Sequence, residues 1–208
     1  MIAASLTRHR PADNPFASHR VEALPYRGLE DGCDDLGRRI DDLGGRAAIV
    51  GPKGSGKTTL LEGLADRLPT PVILIRVPGG DPRPYRTALR QLPDPVAAAH
   101  TILVDGAEQL GALAWPTFLN RTRKTRRLVA TLHRPGRLPT LVECATDCHL
   151  LLDLVRELAP REASTLEPLL DDLFHRHNGN IRMCLRELYD LFAGRVLHVQ
   201  TTGSSGIE

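Results

Sequence analysis

The chain has 208 residues, which is enough for one three-layer α/β domain with a small appendage and leaves little room for a second full domain. Hydrophobic residues make up 41% of it and aromatic residues only 4%, so the expected core consists mainly of Leu, Val, Ile and Ala, as in a parallel sheet covered by helices. The net charge of +2 is nearly neutral, and bulk charge therefore argues neither for nor against a nucleic-acid partner.

Cysteine usage and hydropathy indicate a reduced, cytoplasmic protein. The cysteines are scattered along the chain: Cys33, Cys144, Cys148 and Cys184. Residues 1–10 contain arginines and lack the long apolar stretch of a secretory leader. Cys144, Cys148 and His149 are near one another, but no second ligand pair at zinc-finger spacing accompanies them, which favours structural thiols. No apolar run approaches the roughly twenty residues of a membrane span.

The chain opens with a predicted arm, followed by a helix. Residues 1–27 contain three prolines and few apolar repeats, so we expect an irregular arm rather than a helix or strand. From Leu29 to Leu43, apolar residues fall at helical intervals, and Gly44 and Gly45 close this predicted helix.

The stretch from Ile49 to Thr59 reads IVGPKGSGKTT and matches the phosphate-loop pattern G-x-x-x-x-G-K-[ST]. An apolar strand at 46–50 precedes it and a helical pattern at 58–68 follows it, which argues against a chance glycine-rich turn. Glycines let the backbone wrap a phosphate chain, with N–H groups and the helix N-terminus facing the anion. We expect Lys57 to reach the β- and γ-phosphates and Thr58 to join the Mg²⁺ shell. The predicted nucleotide-binding residues are Gly51, Pro52, Lys53, Gly54, Ser55, Gly56, Lys57, Thr58 and Thr59.

The rest of the chain first alternates between strands and helices and then becomes wholly helical. Predicted strands are 72–77, 101–104, 127–132 and 141–144, and predicted helices are 85–92 and 107–126, the latter interrupted at Trp115 and Pro116. This alternation indicates right-handed crossovers and a parallel sheet that binds ligands at the carboxyl ends of its strands. Three further helices are predicted at 151–158, 165–177 and 181–192. The predicted organisation is an arm (1–27), a phosphate-loop nucleotide-binding core (28–146), a helical lid (147–194) and a tail (195–208).

Asp105 supplies the second part of the predicted site. It follows a buried strand and is expected to face the Mg²⁺ directly or through water, although an Asp here also caps a following helix. Many ATPases of this broad class carry a water-polarising glutamate at the next position, which is Gly106 in this chain. The nearest acid is Glu108, which reaches the water only if the Gly106–Ala107 turn folds back. We favour the alternative interpretation, in which Glu108 is simply an acid in the first turn of a helix, where the helix dipole stabilises its charge.

Thr131, His133 and Arg182 are further candidates. Thr131 ends a strand and either senses the γ-phosphate or caps the strand, whereas an isolated His133 is more simply an exposed loop residue. Arg182 lies one turn into the last helix. It either swings toward the phosphates or pairs with Glu187 or another surface acid.

The order of the motifs resembles AAA+ and STAND-type P-loop ATPases, and most closely the short bacterial ATPases related to general-secretion-pathway protein A and to transposition helper proteins. The segments that carry the resemblance run from Asn14 to Phe192 and read NPF, GPKGSGKTT, ILVDGAEQL, LVATLHRP and GNIRMCLRELYDL. The resemblance implies a three-layer α/β P-loop NTPase fold with a mainly parallel five-stranded sheet and a small C-terminal helical lid. It also implies that the Thr131 strand separates the phosphate-loop strand from the Asp105 strand, that Arg182 is a second sensor, and that adenine contacts lie near residues 25–27. Gly106 and a short lid depart from the family pattern.

A basic run contributes the remaining hypothesis about partners: Arg121, Arg123, Lys124, Arg126 and Arg127. It offers contacts to nucleic-acid phosphates or an arginine to a neighbouring subunit, but no aromatic residues interleave, and a solvated helix face is the leading interpretation.

Two functions follow from the sequence. The first is an ATP-binding, Mg²⁺-dependent regulatory ATPase with slow or partner-stimulated hydrolysis. The second is a nucleotide-gated binding or adaptor module with little or no hydrolysis that acts on DNA or on a protein complex. A protein partner or self-association is expected in either case. A small-molecule kinase and a GTPase rank below both, because neither an acceptor-binding signature nor an Asn-Lys-x-Asp stretch is present.

Overall fold

The computed structural model describes residues 13–27, 35–69 and 71–194. These residues form two compact units, one made of Leu24–Thr146 and the other of the described residues before Leu24 together with those after Thr146. The predicted tail at 195–208 lies outside the described residues, as do Cys33 and the first twelve residues of the predicted arm. Within the described ranges, no helix is both long and apolar enough to cross a membrane.

The secondary structure alternates as the sequence predicts. The strands are β1 Arg46–Val50, β2 Val72–Arg76, β3 Thr101–Asp105, β4 Arg127–Leu132 and β5 Thr140–Glu143. The helices are α1 Ser18–Glu22, α2 Leu36–Asp42, α3 Lys57–Ala65, α4 Pro84–Arg90, α5 Ala114–Arg121, α6 Cys148–Leu158, α7 Ala163–Arg176 and α8 Ile181–Phe192. The five strands form one sheet in the order β2-β3-β4-β1-β5, and every pair is parallel. The predicted α/β fold with a five-stranded parallel sheet is therefore confirmed, including β4 between β1 and β3.

The sheet is the middle layer because its central strands are buried on both faces. One face packs on α4 and α5 through Trp115, Phe118 and Ala88. The other face packs on α2 and α3 through residues that include Ile40 and Leu60. Since all five strands run in one direction, the carboxyl ends of β1, β3 and β4 meet at a single edge, where the phosphate loop follows β1.

The segment after β3 differs from the prediction of one helix broken at Trp115 and Pro116. Residues Ala107–Gln109 form a 3₁₀ turn, Leu110 is extended, and α5 begins only at Ala114. Pro116 consequently lies in the first turn of α5, where a missing N–H breaks no intrahelical hydrogen bond. The break in the helical pattern falls before the proline rather than at it.

The helical unit buries one face of each of α6, α7 and α8 and includes the chain around α1. The prediction of an irregular arm is wrong over Ser18–Glu22, which form a short helix. Asn14 orders the segment that leads into this helix. Its side-chain oxygen accepts from Phe16 N at 3.0 Å, and its amide nitrogen donates to the Tyr189 carbonyl at 2.9 Å. Phe16 also meets Phe192 edge-on, with ring centroids 5.2 Å apart.

Replacing Asn14 by Ala should destabilise the helical unit by about 2 kcal/mol, because a buried side chain that makes two hydrogen bonds is lost and its partners are left unpaired. Urea denaturation followed by circular dichroism measures this loss. Asp13→Ala removes an exposed neighbour and is the matched control. Equal stability of the two variants would show that Asn14 does not anchor the chain.

Candidate functional site

The phosphate loop lies between the end of β1 and the start of α3. Gly51 N donates to the Leu132 carbonyl at 3.1 Å, which ties the start of the loop to β4. Ser55 closes the loop on itself, because its hydroxyl donates to the Pro52 carbonyl at 2.9 Å. The loop therefore has a defined shape at the carboxyl edge of the sheet, ahead of the N-terminus of α3.

Gly56 and Tyr26 meet at the N-terminus of α3. Gly56 has a φ of +84°, in the left-handed region that glycine alone adopts without strain. The ring carbons of Tyr26 lie 3.0 and 3.1 Å from the position that a Cβ at residue 56 would take, so the missing side chain also makes room for the ring. Tyr26 belongs to the segment where the sequence predicts adenine contacts, and the structure places it against the loop.

Lys57 is the first residue of α3 and is held over the loop. Its Nζ donates to the Gly51 carbonyl at 2.8 Å and to the Pro52 carbonyl at 2.7 Å, and the residue is only 8% exposed. An ammonium group in this position places a positive charge at the mouth of the loop, beside the positive end of the helix.

Thr58, Asp105 and Thr131 form one hydrogen-bonded cluster. The Thr58 hydroxyl donates to both carboxylate oxygens of Asp105, at 3.2 and 3.0 Å. The Thr131 hydroxyl donates to the first of these oxygens at 2.9 Å and accepts from Gly106 N at 2.9 Å. Three residues from separate parts of the chain are thus brought together as the sequence predicts.

The donor atoms of this cluster suit a small, hard cation. Mg²⁺ takes oxygen ligands at about 2.1 Å in an octahedron, which puts neighbouring ligand oxygens about 3.0 Å apart. The Thr58 hydroxyl and the nearer Asp105 oxygen are 3.0 Å apart. Over the described ranges, no group of three His, Cys, Asp or Glu side chains that could hold a metal is found. Thr58 and Asp105 therefore fit a cation that takes most of its ligands from water and from a bound phosphate chain.

Gly106 occupies a position that admits no side chain. Its φ is +81°, and a Cβ built there would lie 2.2 Å from the Val77 carbonyl oxygen, well inside any real contact. The turn is held from both sides, since Val77 N donates to the Asp105 carbonyl at 2.9 Å and Gly106 N donates to Thr131. A glutamate directly after Asp105 is thus incompatible with this backbone.

Glu108 instead lies in the 3₁₀ turn, beside His133. Its Oε1 is 3.2 Å from His133 Nε2, while its Oε2 is buried without a hydrogen-bond partner among the described residues. His133, expected to be an isolated loop residue, is 44% exposed but paired. Sequence reasoning missed this pair, although both residues follow strands that the parallel topology makes adjacent. Glu108 is also an acid in the first turn of a short helix, so the favoured interpretation is consistent with its position.

Arg182 is an exposed residue in the first turn of α8, within the helical unit. The proposed pairing with Glu187 is not found among the described residues. Glu187 binds Arg176 through one oxygen and His177 through the other, each at 2.5 Å. The role of Arg182 as a second sensor stays a prediction.

The thiols of the described residues are free and largely buried: Cys144, Cys148 and Cys184. Burial raises the pKa of Cys184 to about 11. Burial also raises the pKa of Cys144, while a hydrogen bond with Tyr26 and the charge of Lys57 act in the opposite direction. Such protonated, buried thiols are poor nucleophiles.

The leading interpretation of the basic run, a solvated helix face, holds for solvation at four of its five members, but the run does not lie on one helix. Most of it lies in the turn between α5 and β4, and Arg127 is buried and makes a two-pronged ion pair with Asp41 at 2.7 and 2.6 Å. The exposed members are Arg121, Arg123, Lys124 and Arg126. Arg46 closes the same turn by donating to the carbonyls of Thr122, Arg123 and Thr125.

Comparison with known proteins supports the fold. No protein-family profile matches the chain, and no curated protein matches it. Among solved structures, 29 chains match. One is a closed-state cryo-EM reconstruction of Hsp104 with ATPγS and FITC-casein, which aligns with a TM-score of 0.57 and 16% identity over 87% of this chain. The match spans 40% of the Hsp104 chain, so this chain covers less than half of that protein's length. The likeness supports the fold described above, an α/β fold built on a five-stranded parallel sheet.

Proposed function

We propose that this protein binds ATP with Mg²⁺ and acts as a regulatory ATPase whose hydrolysis is slow or stimulated by a partner. The observation that carries the proposal is the cluster of Thr58, Asp105 and Thr131 directly beside a complete phosphate loop. A phosphate loop alone binds many phosphates, whereas a hydroxyl and a carboxylate at this spacing also provide for the metal of a nucleotide.

The residues of the loop bind and orient the phosphate chain. Backbone N–H groups between Pro52 and Thr59 and the N-terminus of α3 stabilise the negative charge of the phosphates. Lys57 exchanges its contacts with loop carbonyls for the β- and γ-phosphate oxygens. Thr58 and Asp105 hold the Mg²⁺, which neutralises charge on the phosphates when it is bound. Thr131 keeps the Asp105 carboxylate in place and is the candidate sensor of the γ-phosphate.

The turn at Gly106 supports slow hydrolysis. Because the residue after Asp105 has no side chain, an acid that orients the attacking water has to come from elsewhere. Glu108 is the candidate for this role, and His133 holds one of its carboxylate oxygens. Glu108 lies two residues beyond the usual position of this acid and is already paired with His133, so it is less well placed to accept a proton from water. A partner that rearranges this turn would therefore accelerate the reaction.

The second candidate function is a nucleotide-gated binding module with little or no hydrolysis. The absence of an acid after Asp105 favours it specifically, since binding by the loop, Thr58 and Asp105 does not depend on Glu108. In this case the nucleotide would regulate contact with a protein complex or with DNA. A second sensor at Arg182, adenine contacts near Tyr26, self-association and a cytoplasmic location complete the proposal. The first three rest on the resemblance to secretion-related and transposition helper ATPases, and the cytoplasmic location rests on the scattered cysteines.

Binding of fluorescent ATP and GTP analogues, with and without Mg²⁺, tests the proposed function. We expect saturable binding of the ATP analogue that is tighter with Mg²⁺ and weaker for the GTP analogue. Lys57→Ala should abolish it, because the loop loses its charged donor. Absence of binding by the folded wild-type protein would refute both candidate functions.

Hydrolysis is tested separately by phosphate release from saturating ATP. If Glu108 orients the water, Glu108→Gln should lower the rate about tenfold while leaving the affinity for the ATP analogue unchanged. Lys57→Ala gives the background rate. Equal rates for the wild type and both variants would exclude the enzyme and leave the binding module.

A further inference from the structure

A recess of about 250 Å³ opens at the edge of the sheet opposite the phosphate loop. It is lined by the start of α2, the end of α3 and Arg127, the first residue of β4. The phosphate loop lies at the other end of the strands, roughly 16 Å away along the six residues of β4. The recess is therefore separate from the proposed nucleotide site.

Arg127 contributes a buried nitrogen that has no partner among the residues that the structure describes. Its side chain is only 5% exposed, and its Nε and one terminal nitrogen donate to the two oxygens of Asp41. The other terminal nitrogen, Nη1, is buried and makes no hydrogen bond within the described residues. Buried donors of a charged group nearly always have an acceptor, so this nitrogen points to a binding partner.

Charge around the recess favours an anion. Three guanidinium groups line it, from Arg38, Arg67 and Arg127. Arg38 pairs with Asp35 and Arg127 pairs with Asp41, whereas Arg67 donates to the neutral Gly63 carbonyl at 2.8 Å. Among the described residues, Arg38 and Arg127 each have a carboxylate partner, whereas the positive charge of Arg67 is not balanced by one. Leu64 and Leu68 supply an apolar wall, which lowers the local dielectric and strengthens any ionic contact.

We propose that this recess binds the phosphate monoester group of a small molecule. Guanidinium groups bind phosphate oxygens through parallel N–H donors, and the exposed Arg67 together with the guanidinium of Arg127 that lines the recess would provide them. The recess is smaller than the about 300–1,000 Å³ that drug-sized ligands require, so a compact ligand fits it. A terminal phosphate enters a recess head-on. The phosphodiester of a nucleic acid, which continues on both sides, is held at the surface.

Calorimetric titration at constant ionic strength tests the proposal. The probes are inorganic phosphate, glycerol 3-phosphate and dimethyl phosphate. Because the phosphate loop also takes up phosphate, all titrations use the Lys57→Ala background, in which that site is disabled. We expect one site for inorganic phosphate and for glycerol 3-phosphate in this background, and binding of dimethyl phosphate at least about tenfold weaker.

Substitutions in the recess locate the site. Adding Arg67→Gln should weaken phosphate binding about tenfold, and Arg127→Lys should weaken it further because the lysine lacks the fork of donors. Arg67 is exposed, so its variant remains informative if Arg127→Lys unfolds. Arg90→Gln removes an exposed arginine of α4 and should change nothing. With Lys57 intact, Arg67→Gln should bind the ATP analogue normally, which keeps this inference independent of the proposed function.

Three outcomes would overturn the inference. No phosphate uptake in the Lys57→Ala background would mean that water satisfies the Arg127 nitrogen. Uptake that is unaffected by Arg67→Gln and Arg127→Lys would place the anion elsewhere. If dimethyl phosphate bound as tightly as inorganic phosphate, or if a short DNA duplex bound more tightly and Arg67→Gln weakened that binding, the ligand of the recess would be a nucleic acid rather than a phosphate monoester.

Discussion

Gly106→Ala is expected to lower the free energy of unfolding of the sheet unit by about 3–5 kcal/mol. A left-handed φ of +81° costs an alanine about 1 kcal/mol or more, and the new Cβ would lie 2.2 Å from the Val77 carbonyl oxygen, which forces two strand ends apart. Trp115 is the one tryptophan of the chain and is buried in this unit, so its fluorescence in urea reports the loss directly.

Gly80→Ala is the matched control for this substitution. Gly80 has almost the same φ, +80°, but a Cβ there meets nothing within 4 Å. We expect a loss of about 1 kcal/mol from backbone strain alone. The difference between the two variants measures the collision with Val77. If Gly106→Ala and Gly80→Ala cost the same, the close approach of the two strand ends is not as described.

Thr58→Ala and Asp105→Asn are expected to remove most of the effect of Mg²⁺ on nucleotide binding. In the wild type the two side chains supply neighbouring oxygens 3.0 Å apart. Losing either one should weaken binding of the ATP analogue in Mg²⁺ by about thirtyfold, or ~2 kcal/mol, while binding in EDTA changes little. Fluorescence titration with and without EDTA gives both affinities.

Thr58→Ser is the control, because it keeps the hydroxyl and should retain the dependence on Mg²⁺. The free energy of unfolding in urea shows whether a substitution has destabilised the hydrogen-bonded cluster or has only removed a metal ligand. An unchanged response to Mg²⁺ in both Thr58→Ala and Asp105→Asn would exclude these residues as metal ligands, whatever their effect on stability.

The strands and the last helix were predictable because their signals are local. Arg46–Val50 and Arg127–Leu132 are apolar stretches whose ends match the structure, since strands buried on both faces need uninterrupted apolar residues. Ile181–Phe192 was also exact, because Asn180 caps it by accepting from Met183 N. The adjacency of β4 to β1 and β3 came from resemblance to a family, as no local pattern specifies the order of strands.

The rest depends on contacts between distant residues, which a single sequence does not reveal. Arg127 and Asp41 are 86 residues apart, so the pattern of the basic run gave no sign that one of its members is buried. The pairing of Glu108 with His133 likewise depends on the register of β3 and β4. For Gly106 the sequence showed only a departure from a familiar motif, and its reason lies in the backbone of another strand.

The close packing of Gly106 against Val77 has a consequence for how this protein can change over generations. Acquiring the familiar acid at that position is not a single mutational step, because the side chain has no room until the β2 end has been rebuilt. Such a substitution would first need a tolerated change near residue 77. An acid that orients water is therefore more accessible to this chain through Glu108, beside His133, than through position 106.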